Sequence, residues 1–299
     1  MLRNSCSTAL FLLAGWNLLA QGSESAEPSN GFTFYERFQG SVNTLGAVTR
    51  LDSNIGYNFN SHLSLDGGIP VYFVSPSSST TAATGTQSSN GIGNAYGQIR
   101  LTLNNPVVNF GSTVTGTAPT GDKAQGFSTG RVTVDWTNYF ERNFSRLTPF
   151  ANIGIANSVS DTVFFTRPYT TLGFVAHFEG GARYRFAHIV SISASAYAIK
   201  PSGQQTVVSR VVHAQQEAAP APATSVNRRN RGVFETANLT TGAPDIAKDH
   251  GFSTWLQLSP ASSVDLYAGY TRSTQYSLNT VFFGVGVSVG KVFRRWVSD

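Results

Sequence analysis

Hydrophobic and polar positions alternate along most of this chain. The clearest run is 277–290, where Val281, Phe283, Val285, Val287 and Val289 fall on one face and Gly284, Gly286, Ser288 and Gly290 on the other. A period of two is that of a β-strand. One wholly apolar face opposite a small or polar one means that one side meets an apolar medium and the other meets water. The same pattern predicts strands over 32–40, 46–58, 62–74, 93–104, 107–118, 128–140, 147–157, 170–186, 189–199, 251–259, 264–272 and 277–290. In 170–186, Leu172, Phe174, Ala176, Phe178, Ala182, Tyr184 and Phe186 oppose His177, Glu179, Arg183 and Arg185. In 93–104, Ile99, Leu101 and Leu103 oppose Gln98, Arg100 and Thr102. A Lys or Arg on a lipid-facing strand near the bilayer midplane costs about 2–4 kcal/mol. The pattern keeps mid-strand charges off the apolar face.

The connections sort by length. Those over 59–61, 105–106, 141–146, 187–188 and 260–263 are short; those over 75–92, 119–127, 158–169 and 200–250 are longer. Tight turns at one end and long loops at the other are the signature of an outer-membrane barrel, and an even strand count puts both barrel ends on the short-turn, periplasmic side. The predicted fold is all-β: a closed antiparallel transmembrane β-barrel of about twelve strands over 31–293, with short periplasmic turns and longer extracellular loops. A secreted soluble β-sandwich is the alternative fold.

Composition supports export and a membrane wall. Charged residues make up 12% of the chain, against roughly 25% in a soluble domain. The mean hydropathy of −0.10 is ordinary, as when outward apolar and inward polar residues cancel. Arg3 and the apolar run Ala9 to Ala20 form a signal peptide over 1–20, cleaved near Ala20 or Ala26. An uncleaved N-terminal anchor is the other reading of that run. Residues 21–30 follow as a flexible segment, and 294–299 form a tail. Cys6 is the only cysteine and leaves with the signal, so the mature chain has no disulfide, thiolate metal site or cysteine nucleophile. The net charge of +5 is too modest to indicate nucleic-acid binding.

Facing the lumen, the alternation places Arg50, Asp52, Asp66, Arg100, Arg131, Asp135, His177, Glu179, Arg183, Arg185 and Asp265. Five arginines face five carboxylates in this set. They either cross-link the wall and plug it or line a water-filled bore. Twelve strands lie between filled eight-stranded barrels and open sixteen-stranded ones, so a narrow or partly occluded pore is expected. Arg100, Arg131, Arg183 and Arg185 are the candidates for setting selectivity. Tyr57, Phe59, Phe140, Phe144, Tyr184 and Phe186 flank the short turns, and Phe73 and Phe252 adjoin the long loops, as membrane-interface aromatics do. The simpler reading of these rings is ordinary β-core packing.

Chemistry is sparse. His177 and Glu179 share a face and suit acid–base work or a metal, although a structural hydrogen bond is the simpler reading. No nucleophile elbow, P-loop or zincin motif is present. No catalytic residue, metal or cofactor is expected. In the long segment 200–250, Val207 to Val212 extend the preceding strand above the membrane, and Ala218 to Ala223 form a low-complexity stretch. Arg228, Arg229 and Arg231 suit either lipopolysaccharide binding or a constriction, the simpler reading being a solvated charge run.

The stretch from Gly56 through Asn60, His62, Asp66 and Pro70 to Phe73 resembles a hairpin of bacterial outer-membrane barrels. So do Thr117-Ala118-Pro119-Thr120-Gly121-Asp122 and Pro149-Phe150-Ala151-Asn152-Ile153-Gly154. Over 31–293 the chain resembles the phenol-degradation-pathway (MetA-like) outer-membrane transporter family. The resemblance implies location in the outer membrane, contact with its lipid and lipopolysaccharide, insertion by the barrel-assembly machinery, and passage of small solutes. It departs from the pattern at the end, where the chain runs past Phe293 to Asp299 instead of finishing on an aromatic. The expected function is a passive channel for small solutes. The alternatives are a non-conducting structural or adhesive barrel and a soluble sandwich that acts as a binding module.

Overall fold

The computed structural model describes residues 30–212 and 238–290. The signal peptide, residues 21–29, the Ala218–Ala223 stretch, the Arg228, Arg229 and Arg231 cluster and the 294–299 tail lie outside the described residues. The strands are β1 (Gly31–Asn43), β2 (Gly46–Asn58), β3 (Leu63–Pro76), β4 (Ser89–Ile92), β5 (Tyr96–Leu103), β6 (Asn109–Thr117), β7 (Thr133–Glu141) and β8 (Leu147–Ala156). They continue as β9 (Tyr169–Leu172), β10 (Val175–Ala187), β11 (Val190–Pro201), β12 (Gln205–Ser209), β13 (Leu239–Gly242), β14 (Asp249–Ala261), β15 (Val264–Ser273) and β16 (Leu278–Ser288). One short helix, α1 (Ser78–Thr84), follows β3.

The main sheet runs β2-β1-β16-β15-β14-β11-β10-β8-β7-β6-β5-β3, and β3 pairs back onto β2. The ring is therefore closed, and β4 only adds to the rim of β3. Closure by twelve antiparallel strands leaves no unpaired amide row facing lipid. The seam joins the first and last strands from Tyr35 opposite Ser288 to Asn43 opposite Thr280. Each of the twelve predicted strands overlaps one of these staves, with starts displaced by five residues at β7 and β10. The soluble sandwich is excluded, since large apolar side chains such as Ile99, Phe186 and Val281 ring the outside, each more than half exposed. Among outward-facing strand positions, Lys and Arg occur only as Lys200 and Arg272, both at the long-loop end. The exception to the charge-free outer face is Glu36, whose carboxylate accepts a hydrogen bond from Ser53 Oγ at 2.9 Å.

Inward glycines on β16 make room for rings. A Cβ at Gly284 would overlap the Tyr267 ring, and one at Gly286 would overlap the Tyr35 hydroxyl. The small inward face read from the sequence is thus filled by tyrosines from the two neighbouring strands.

Two expectations fail at the long-loop end. The predicted strand 170–186 is two elements, because the chain bends at Gly173, whose φ is +142°. The Gln205 amide fills the place a Cβ would take there. It donates to the carbonyls of Phe174 at 3.0 Å and Ser202 at 2.9 Å. Residues 207–212 do not extend β11 upwards. The chain turns at Gly203 (φ +71°) and β12 pairs with β9 and β13 in a small separate sheet. Val207 and Val211 of this segment are 1% exposed and pack with Val48, Val74, Val175 and Ile199 from the barrel wall and with Tyr169 and Phe127. The small sheet is an apolar cap seated in the mouth of the barrel.

Candidate functional site in the barrel lumen

The lumen is lined by the inward residues of the twelve strands and crossed by the segment 157–168, which dips in from between β8 and β9. Ten of the eleven residues expected to face the lumen do so by strand parity. Arg131 instead precedes β7 and lies exposed in the connecting loop, because the regular strand begins only at Thr133.

Most of the inward charges are paired, within a strand, with the adjacent strand or with the next but one. Arg100 meets Asp66 at 3.3 Å, and Gln98 donates to the same carboxylate at 3.3 Å. Arg183 meets Glu141 at 3.4 Å, and Glu141 also accepts from Tyr139 at 2.8 Å and Asn109 at 3.2 Å. Arg50 pairs with Asp52 and reaches Asp161 at 3.5 Å. His177 does not partner Glu179. Its Nε2 lies 3.0 Å from Asp135, which also accepts from Thr137 at 2.5 Å, while Glu179 accepts from Asn152 at 3.0 Å. Asp265 accepts from Ser259 at 2.9 Å near the short-turn end, where Arg185 lines a shallow hollow with His188 and Gln257. These pairs tie the wall together around a lumen that is not completely filled.

Several lumen residues escaped the sequence reading. Arg37 points inward from β1, is 5% exposed and stands 5.0 Å from the Tyr35 ring, with no carboxylate at ion-pair distance among the described residues. The alternation places Glu141 in a turn, but the β6–β7 register keeps it on the wall. Asp249 lies just before the predicted start of its strand. It accepts from Arg167 at 3.2 Å, Tyr169 at 3.4 Å, Tyr197 at 3.3 Å and Ser273 at 2.6 Å. Asp161, Arg167 and Arg210 sit in loops, where no periodicity marks them.

The inner segment is anchored on nearly every side. Gln39 donates to the Thr162 carbonyl at 3.2 Å, and Ser41 donates to the Thr166 carbonyl. Tyr267 donates to the Val163 carbonyl at 2.6 Å. Asp161 accepts from Tyr72 at 2.6 Å and pairs with Arg210, whose guanidinium lies 4.6 Å from the Tyr72 ring. Burial by itself would raise the Asp161 pKa. The Arg210 and Arg50 guanidiniums, the Tyr72 hydroxyl and the Arg167 amide outweigh it and hold the carboxyl below its ordinary value. Phe164 stacks on Trp255 at 4.7 Å, and Phe165 lies 6.2 Å from Phe282.

The segment divides the mid-lumen into two partly open cavities. One, of about 140 Å³, lies towards β1–β6 and is lined by Arg37, Arg50, Arg210, Asp52 and Tyr96. The other, of about 150 Å³, lies towards β7–β14 and is lined by Asp135, His177, Glu179, Phe164 and Trp255. No cluster of His, Cys, Asp and Glu suited to a metal ion occurs among the described residues.

The expected interface aromatics lie on the outside. Phe59, Phe73, Phe140, Phe144, Tyr184, Phe186 and Phe252 are all exposed, and Tyr57 is half-buried between Phe32 at 5.0 Å and Phe59 at 5.2 Å.

No protein-family model matches the chain, and no curated protein matches it. Solved structures do. An outer membrane channel from Pseudomonas putida F1 is similar at 12% identity and a TM-score of 0.55, over 89% of this chain and 98% of that one. The KdgM porin (10% identity, TM-score 0.47) and the NanC porin (8%, 0.48) each cover 85% of this chain and 98% of their own. The chain has the fold of an outer-membrane β-barrel.

Proposed function

We propose that this barrel is a passive channel for small solutes across the outer membrane, without catalysis or energy coupling. The observation that carries the reading is the lumen itself. A closed ring with an apolar exterior encloses a polar interior, and the inner segment narrows that interior to two small cavities instead of filling it. The structural likeness to the Pseudomonas putida outer membrane channel agrees with it. Paired charges lining a narrow bore act as a filter by size and charge. Arg100, Arg183 and Arg185 set its selectivity from the wall, Arg37 joins them, and Arg131 acts from the loop above. The exterior aromatics anchor the barrel at the two membrane interfaces, in contact with lipid and lipopolysaccharide. Insertion by the barrel-assembly machinery is part of the same reading.

The apolar cap favours a second reading, a non-conducting barrel whose mouth stays shut. Single-channel recording of detergent-purified protein in a planar bilayer decides between them, with folding verified by a heat-shifted gel band. Discrete current steps are expected. Silence from folded protein would overturn the channel reading in favour of the closed barrel.

A further inference from the structure

We propose that the cavity between the inner segment and strands β7, β8, β10 and β14 is a binding site for an organic ammonium ion carrying an aromatic ring. The inference deepens the channel reading by naming a solute class, and rests on small solutes reaching the lumen. Its volume of about 150 Å³ matches that of an engineered apolar cavity, roughly 150 Å³, known to admit benzene.

The charges around the cavity do not cancel. Asp161 lines it, but Arg50 and Arg210 neutralise that carboxylate from the other side of the segment. Arg167 lines it too, held by Asp249 at 3.2 Å. Asp135 has His177 at 3.0 Å, so a proton on that ring compensates Asp135 alone. Glu179 accepts a hydrogen bond from the neutral Asn152 amide, and no cation lies within ion-pair distance of it among the described residues. At least one negative charge therefore faces the cavity without a counterion, whatever the state of His177.

The same cavity is also lined by aromatic rings. Phe164 is only partly buried, stacks on Trp255 at 4.7 Å and meets the Tyr267 ring edge-on at 5.5 Å. Phe165 and Phe282 close the wall behind it. Ring faces attract cations and offer a flat apolar surface to another ring. A carboxylate and aromatic rings lining one cavity recognise a positive head on an apolar body. A carboxylate solute would meet Glu179 as a like charge, and a neutral ring would gain only the aromatic wall. The cavity on the far side of the segment has the reverse character, with Arg37 buried and lacking an ion-pair partner.

The test is calorimetric titration of the full-length protein in detergent with benzylammonium, benzyl alcohol and benzoate. Benzylammonium is expected to bind about tenfold more tightly than benzyl alcohol, with benzoate weakest. In Glu179→Gln, checked for folding by its heat-shifted band, that preference is expected to vanish. In Phe164→Leu, which leaves the barrel wall untouched, benzylammonium is expected to lose its advantage over methylammonium. Equal binding of benzylammonium and benzyl alcohol by the wild type, or an undiminished preference in Glu179→Gln, would overturn the proposal. Calorimetry does not require conduction. Binding without current steps would leave the site standing and sink the channel reading, and current steps without binding would do the reverse.

Discussion

Gly286 and Tyr35 behave as one unit split between the first and last strands. The ring occupies the space that any side chain at 286 would need. Gly286→Val is therefore expected to weaken the seam by about 1–3 kcal/mol, the usual penalty of overpacking. The reading is a lowered temperature for conversion of the compact gel band. Adding Tyr35→Ala is expected to restore part of the loss, and strict additivity of the two changes would argue against the coupling. The charged wall makes a separate prediction. Arg183→Glu combined with Arg185→Glu should move the reversal potential towards cation preference, and unaltered selectivity would remove both residues from the filter. At this scale the alternation exposed Asp66, Arg100 and Glu179 directly, since each sits between apolar or glycine neighbours. Arg37 stayed hidden because Glu36 interrupts the apolar face beside it and blurs the period of two. The tyrosine-over-glycine fit was equally hidden, because it depends on which strands become neighbours.

On the channel reading, the inner segment and the cap are the elements that decide permeability. Asp161 holds the segment to β2, β3 and the Arg210 region. Its carboxyl is held below the ordinary value, so it stabilises the segment above the pH range of an unfolded carboxyl. That stabilisation is lost as pH falls through the depressed value. Conductance should thus stay level from pH 7 to 5 and rise only below about pH 4, near the reference carboxyl range. Asp161→Asn should show the raised conductance already at pH 7, since removing one partner of a buried pair typically costs about 3–5 kcal/mol. Equal conductance of Asp161→Asn and wild type at pH 7 would show that the segment does not depend on this anchor. The cap permits a larger change. β11 and β14 already pair side by side from Val190 opposite Leu258 to Ile199 opposite Asp249. Replacing residues 203–246 with a short Gly-Ser turn should leave the wall intact and enlarge the unit current. A wall that no longer folds, judged by the gel shift, would show instead that the cap supports the ring. Neither element was legible in the sequence. Their hydrophobic residues follow no period, and what they pack against is set by the barrel's mouth.

For the whole molecule, strand number, pairing order and the inside-outside sorting were readable in advance, because lipid and water impose one rule on every stave. The contents of the bore obey no such rule. They answer only to local fit. Ring and filling are thus separately adjustable: the perimeter is written in twelve repeating strands, while the cut-off of the proposed channel is written in a dozen residues from Asn157 to Pro168 that lipid never touches. Changes there meet no penalty from the bilayer. One frame of fixed girth is in this way free to acquire a succession of different sieves.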